Sequence, residues 1–293
     1  MNHVLKLNDA QLEALLDFYA DSRKNVPNPY MKAFIKQSGL TISIYTSNKV
    51  VFQGEGAEEA FFFWHEALGL PELETEAEAF DTPSIGSDES GAGDYFGPLC
   101  VGAVHIGKAD MKHIDKLGLK DSKALTDETV RTLAPKIRKA FTNVVYTLDN
   151  ERYNRHIEEG RNANKLKALL HEKAHRSLLQ KVEGRPLIIV DQFCDEVRYD
   201  AYLKQLSNPV RPDRFRFRAE SAYASVAAAS ILARHAFLHH LEELSNQAGT
   251  PLPKGASSEV ERVAANILRT QGEDALRRLA KVHFRTTEKA KKR

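Results

Sequence analysis

Two carboxylates stand side by side at Asp88 and Glu89, at the end of the run Ser84-Ile-Gly-Ser87, and Gly91, Gly93 and Gly97 follow closely. Adjacent residues on a strand point to opposite faces. Both acids therefore serve one site only if the chain distorts there, or if one of them also contributes its backbone carbonyl. Glycines make distortion inexpensive and let backbone N–H groups approach a ligand. The plainer alternative is a polar hairpin turn with incidental acids. A dinucleotide loop is excluded, because Gly91 and Gly93 lack the third glycine of the fingerprint; Phe96 stands there.

Two further acids repeat the pattern. Asp191 ends the apolar run Pro186-Leu-Ile-Ile-Val190, and ligands gather at the carboxyl ends of strands in open α/β sheets. Read alone, it is equally a turn or capping aspartate. Glu220 follows a strand-like run over 215–219 and opens a helix whose first turn tolerates acid in any case. Together the four acids make an oxygen-only donor set of the kind hard divalent cations take. His171-Glu-Lys-Ala-His175 matches the zincin pattern H-E-x-x-H, but its surroundings are Lys-rich and no third ligand is evident. His283 suits either a proton carrier near the acids or a structural role. Ser225 and Ser230, among alanines, are expected to permit close packing.

The elements that must carry these residues fall into two groups. Residues 4–20 have helical spacing, 40–45 and 49–53 alternate as a hairpin, and 57–68 form an aromatic-rich helix. The acidic stretch after them ends in Thr82-Pro83 and reads as a linker. Beyond it, strands are expected over 84–88, 98–106, 144–148, 186–190 and 214–219. Helices are expected over 126–140, bent at Pro135, and over 165–181, 196–206, 221–245 and 258–281. Strands alternating with helices imply an α/β domain with a mixed sheet. Asn162 and Asn164 precede a helix, where they serve as caps or touch substrate backbone.

The chain has 293 residues, enough for two domains. Its net charge of +2 is unevenly spread. Residues 51–83 carry nine acidic and no basic side chains, whereas residues 84–293 carry 36 basic and 27 acidic ones. That basic excess fits a polyanionic partner or a Lys-rich solvated surface. No apolar run reaches membrane-spanning length and the first twenty residues are unlike a secretory leader. Cys100 and Cys194 are the only cysteines, so a reducing cytoplasm is expected.

Three blocks then carry a resemblance. They are Asp88-Glu-Ser-Gly-Ala-Gly-Asp-Tyr-Phe-Gly-Pro98, Leu119-Lys-Asp-Ser-Lys-Ala-Leu125 and the run from Arg218-Ala-Glu-Ser-Ala-Tyr to Ser-Ile-Leu-Ala-Arg234. In order and spacing the chain resembles the type 2 ribonucleases H over residues 84–285, and more narrowly the ribonuclease HIII group, in which the third-block acid is Glu rather than Asp. The resemblance implies a ribonuclease-H-like mixed sheet with flanking helices over 84–293. It also implies a small α+β, TATA-binding-protein-like domain over 1–70 that helps hold substrate, with an acidic linker over 71–83.

The same resemblance implies an endonuclease that cuts the RNA strand of RNA/DNA hybrids, leaving 5′-phosphate and 3′-hydroxyl ends. Asp88, Glu89, Asp191 and Glu220 would be both catalytic residues and ligands for two Mg²⁺ ions, with Mn²⁺ as substitute. The main chain of Gly91, Ala92 and Gly93 would read the 2′-hydroxyl; Ala92 stands where the HII group usually has Arg. Ser122 and Lys123 would contact substrate in the second block, and Tyr45 and Lys49 on the N-terminal domain. Leu252-Pro-Lys-Gly-Ala-Ser257 replaces the Gly-Tyr turn that HII uses at RNA–DNA junctions, so RNA tracts are the expected substrate. A monomer is expected. Junction cleavage in the HII manner and hybrid binding without catalysis are the alternatives.

Overall fold

The computed structural model describes residues 3–26, 28–37, 39–70, 80–119, 125–194 and 196–293. The chain divides into two compact units, Met1–Ala77 and Glu78–Arg293. The division falls inside the acidic stretch read as a linker, of which residues 71–79 lie outside the described residues.

The first unit is a five-stranded antiparallel sheet with two helices. Its elements are β1 (His3–Lys6), α1 (Asp9–Phe18), β2 (Arg23–Lys24), β3 (Met31–Gln37), β4 (Leu40–Tyr45), β5 (Lys49–Gln53) and α2 (Ala57–Ala67), and the strand order is β1-β5-β4-β3-β2. The expected helix over 4–20 is corrected at its start. His3–Lys6 pairs with β5, and the helix begins only after Asn8 closes a capping box with Gln11. Helical spacing of leucines was common to both readings; the cap and the free strand edge decided between them. Leu12, Leu15, Phe61 and Trp64 cover one face of the sheet, over Ile42, Ile44, Val50 and Phe52. Alternation leaves Lys6, Lys49, Thr41, Gln53 and Tyr45 on the other face.

The second unit holds β6 (Ser84–Ser90), β7 (Leu99–Ile106), α3 (Lys112–Leu117), α4 (Asp127–Ala140), β8 (Thr142–Leu148), α5 (Asn150–Glu158) and α6 (Ala163–Leu179). It continues with β9 (Leu187–Asp191), α7 (Glu196–Leu203), β10 (Arg214–Arg216), α8 (Ala224–Ala248), α9 (Ser258–Leu279) and α10 (Arg285–Lys291). The sheet order is β10-β9-β6-β7-β8, with β6, β9 and β10 parallel and β7 antiparallel to both neighbours. This is the mixed sheet expected. The helix α4 runs through Pro135 without interruption, capped by Thr126. The segments α3, α5 and β3 were not among the expected elements, although β3 alternates buried and outward residues and α5 is strongly amphipathic.

The sheet is sandwiched between α6 and α8. Ile85, Val101 and Ala103 face Ala174 and Leu178 of α6, while Cys100 and Val104 face the alanine-rich α8. The alternation along β6 and β7 sends successive residues to opposite helices. The α8 backbone comes so close that a Cβ on Gly86 would lie 2.3 Å from the Val226 nitrogen. The glycine and the alanines of α8 are thus one packing device. It seats the helix directly on the central strand, where its later residues reach the acids.

Candidate active site

The strand register brings the first two acids together. Ser87 of β6 pairs with Val190 of the parallel β9, so Asp88 and Asp191 come next in line, at the same end and on the same face. Arg216 of β10 pairs with Asp191, and the 3₁₀ turn Ala219–Ser221 that follows carries Glu220. The turn is entered through Arg218 in the left-handed region, φ 53°. Asp191 fastens it by accepting a hydrogen bond from the Ala219 N–H at 2.8 Å.

Asp88 and Glu89 do point to opposite faces, as strand geometry requires. Asp88 accepts from the Glu89 N–H at 2.7 Å, and Ser230 of α8 lies close enough to favour its ionised form. Glu89 turns toward α6. Lys167 Nζ lies 2.8 Å from its Oε1, and His171 Nε2 lies 3.0 Å from its Oε2.

These partners set the charges. Burial, with Asp191 and Glu89 nearby, pushes the Asp88 carboxyl well above the usual carboxylate range. Burial and the Glu220 charge raise Asp191 to about 7. Burial also pushes Glu89 upward, but the His171 hydrogen bond and the Lys167 charge outweigh it and hold Glu89 at about 2. Like charges that repel across a half-buried strand end need a cation to be ionised together. The donors are all oxygen, as hard divalent cations require, so the residues fit such a group. They are not closed into a tight cage. Among the described residues, the one metal-type triad with ligand atoms within 4.8 Å of one another is His239, His240 and Glu243, which faces solvent on α8.

The zincin-like pair is accounted for otherwise. His171 Nδ1 and His175 Nε2 both meet Ser87 Oγ, at 2.8 and 2.7 Å. Glu172 turns away to pair with Arg176 and to accept from the Val210 N–H. Neither Lys167 nor His171 was singled out for the acids' sake from the sequence. Their i,i+4 spacing on one helix face was the available clue.

The glycine-rich loop after β6 is clamped rather than loose. Gly91 has φ +88°, and a Cβ there would sit 2.2 Å from the Pro98 carbonyl oxygen. The Gly255 N–H donates to Asp94 Oδ1 at 2.6 Å, and the Gly255 carbonyl accepts from the Tyr95 N–H. Lys281 is fully buried; its Nζ donates to the carbonyls of Asp94, at 2.9 Å, and Gly97. Burial lowers its pKa to about 8. The segment Leu252-Pro-Lys-Gly-Ala-Ser257 thus braces the loop. Ala92 is half-buried near Tyr153 and Leu166, and Gly93 is exposed with open space about it.

The remaining expectations fall elsewhere. Ser122 and Lys123 lie outside the described residues. Tyr45 and Lys49 belong to the first unit, half-buried and exposed respectively. Asn162 caps α6 by accepting from the Lys165 N–H at 2.8 Å, and Asn164 lies inside that helix. His283 packs against Tyr153 and Phe284, in a structural setting. Among the described residues, no helix is long and apolar enough to cross a membrane.

Comparison with known proteins matches this arrangement. Residues 85–287 fit the family model Ribonuclease HII, and residues 2–70 fit one described as a domain of unknown function, DUF3378. A ribonuclease HIII of Geobacillus sp. is 39% identical over 99% of this chain and 97% of its own length. One of Streptococcus pneumoniae is 38% identical over 98% and 96%. The crystal structure of Bst-RNase HIII in complex with Mn²⁺ superimposes with a TM-score of 0.71 at 36% identity, covering 100% of this chain and 98% of that one. Aquifex aeolicus RNase H3 gives 0.56 at 26% identity. With the family model matched over most of the chain and these relatives covered along their whole length, the chain belongs to the ribonuclease HII family, among its ribonuclease HIII members.

Proposed function

We propose that this chain is a divalent-metal-dependent endonuclease that hydrolyses the RNA strand of RNA/DNA hybrids, leaving 5′-phosphate and 3′-hydroxyl ends. The observation that carries the reading is the register of β6 beside β9. It sets Asp88 next to Asp191 at one strand end, with the charge of Glu220 acting on Asp191, in a chain similar to ribonuclease HIII along its whole length.

Asp88, Glu89, Asp191 and Glu220 are the proposed ligands, and Mg²⁺ is the proposed cation, with Mn²⁺ able to replace it on the same oxygens. When bound, divalent cations supply Lewis-acid activation of the attacking water and charge neutralisation at the phosphate. The protein's own residues do the rest. Asp88 is oriented by the Glu89 N–H, Asp191 by the Ala219 N–H, and Glu89 by Lys167 and His171.

The main chain of Gly91, Ala92 and Gly93 reads the 2′-hydroxyl, the group that marks RNA. Support comes from Gly93, exposed and open to close approach, in a loop whose far side Lys281 and Gly255 hold fixed. Residues 1–70 form the substrate-holding domain, 71–83 the linker and 84–293 the catalytic domain. The sheet face opposite α1 and α2, with Tyr45, Lys49 and Lys6, suits a nucleic-acid backbone. Ser122 and Lys123 are further proposed contacts, and the protein acts as a monomer.

Three labelled substrates test this: an RNA/DNA hybrid, a DNA duplex, and a DNA duplex with one ribonucleotide, each with Mg²⁺ or EDTA. The expected result is cutting of the hybrid alone, and only with metal. Binding without cleavage under Mg²⁺ and Mn²⁺ alike would overturn the enzymatic reading; efficient cutting at the lone ribonucleotide would overturn the substrate preference.

A further inference from the structure

Behind Glu89 lies a line of buried polar groups. Ser87, two residues earlier on the same face of β6, meets two fully buried imidazoles on α6: His171 Nδ1 at 2.8 Å and His175 Nε2 at 2.7 Å. The other nitrogen of His175, Nδ1, is buried with no hydrogen-bond partner. That orphan fixes the protons along the line. A buried N–H without an acceptor is rarer and costlier than a bare acceptor. The His175 proton therefore sits on Nε2 and is donated to Ser87 Oγ. The serine has one hydrogen, and it goes to His171 Nδ1. His171 in turn carries its proton on Nε2, 3.0 Å from Glu89 Oε2.

The other oxygen of Glu89 accepts from Lys167 Nζ at 2.8 Å. One aromatic side chain steadies both donors. Phe193 stacks on His171, with centroids 5.2 Å apart and planes at 25°, and its ring lies 4.2 Å from Lys167 Nζ.

We propose that Lys167, His171, Ser87 and His175 are positioning residues for Glu89. They form a one-way hydrogen-bond chain, His175 to Ser87 to His171 to Glu89, with Lys167 closing the second oxygen. The rack fixes the plane of the carboxylate. It leaves each oxygen a further lone pair for a cation, as hydrogen-bonded outer residues do for ligands at metal sites. The H-E-x-x-H pattern on α6 is thus a support for an oxygen site and not a zinc site. This inference rests on Glu89 being part of the proposed site, but its first test does not depend on activity.

Long-range ¹H–¹⁵N correlation spectra of the metal-free protein read the ring tautomers directly. A proton on Nε2 and none on Nδ1 is expected for both His171 and His175. A proton on Nδ1 of either ring would overturn the chain whatever the enzyme cuts. The second test compares Ser87→Ala, which breaks the line, with His175→Phe, which keeps a ring in place and leaves Ser87 free to donate to His171. For Ser87→Ala, kcat on the hybrid should fall roughly tenfold or more with KM unchanged, and the Mn²⁺ concentration giving half of the thermal shift should rise by a similar factor. The loss with His175→Phe should be smaller. If packing alone mattered, the larger change at His175 would do the greater harm, and that order would overturn the proposal. So would a Ser87→Ala enzyme with wild-type kcat and an unchanged Mn²⁺-induced shift.

Discussion

Replacing Lys281 by Met tests how the glycine-rich loop is held. The side chain is fully buried, and its ammonium donates to the main-chain carbonyls of Asp94 and Gly97, with that of Pro98 at 3.5 Å. Met fills most of the same space but donates nothing. Buried carbonyls left without a donor cost about 1–3 kcal/mol each, so Lys281→Met should lose about 2–6 kcal/mol near neutral pH. The pH dependence is the sharper signature. Burial lowers the Lys281 pKa from 10.5 to about 8. Between those values the unfolded chain binds the proton and the folded one does not. Stability contributed by this group therefore rises as pH rises through that window. From pH 7.5 to pH 10 the gain is about 2 kcal/mol, taking about 1.4 kcal/mol per pH unit. Met has no such term, so the difference in stability between wild type and variant should grow by that amount. Urea unfolding followed by far-UV circular dichroism measures it. Tryptophan fluorescence does not, because the single tryptophan, Trp64, lies in the first unit. A difference that stays constant from pH 7.5 to pH 10 would show that the ammonium is not buried against those carbonyls.

The loop glycines should differ from one another. Gly91→Ala must hold a Cβ at φ +88° against the Pro98 carbonyl and should lose about 2 kcal/mol or more, whereas Gly93→Ala, with open space, should keep wild-type stability and show any loss only in hybrid KM. In metal-free protein, the carboxyl of Asp191 at about 7 means that its contribution is full below about pH 4 and is lost as pH rises through 7. The melting temperature should therefore fall from pH 5 to pH 8, less so in Asp191→Asn, and Mn²⁺ at pH 8 should restore it; a pH-independent midpoint would contradict the repulsion between the acids. Asp88→Asn should lose at least roughly a thousandfold in kcat while still binding the hybrid and keeping the wild-type circular dichroism spectrum. Removing residues 1–83 should raise KM for the hybrid more than it lowers kcat, and an unchanged KM would remove the N-terminal unit from substrate binding.

Much of the site was legible because it is local. Asp88, Glu89 and the glycines sit within ten residues, and Asp191 ends an apolar run; Glu220 was expected to end a strand over 214–219, but that strand stops at Arg216 and a 3₁₀ turn carries the acid. The opposite facing of Asp88 and Glu89 also follows from strand alternation alone. The strand His3–Lys6 was hidden, since four residues before a cap give too little periodicity and only pairing with β5 stabilises them as a strand.

What the sequence determined by itself was the all-oxygen donor set of the proposed site, the mixed sheet and the division in the acidic stretch. These depend on residue type and near spacing. What tertiary structure alone decided was which groups touch each acid. α8 sits directly against β6 because Gly86 has no side chain there, and Lys167 and His171 reach Glu89 because α6 covers the other face. Lys281 reaches the loop from 183 to 187 residues away. Contacts between residues so distant in the chain depend on how layers pack, and no local pattern records that. They are also what separates the three half-buried acids electrostatically, with Glu89 held at about 2 while Asp88 and Asp191 are pushed up.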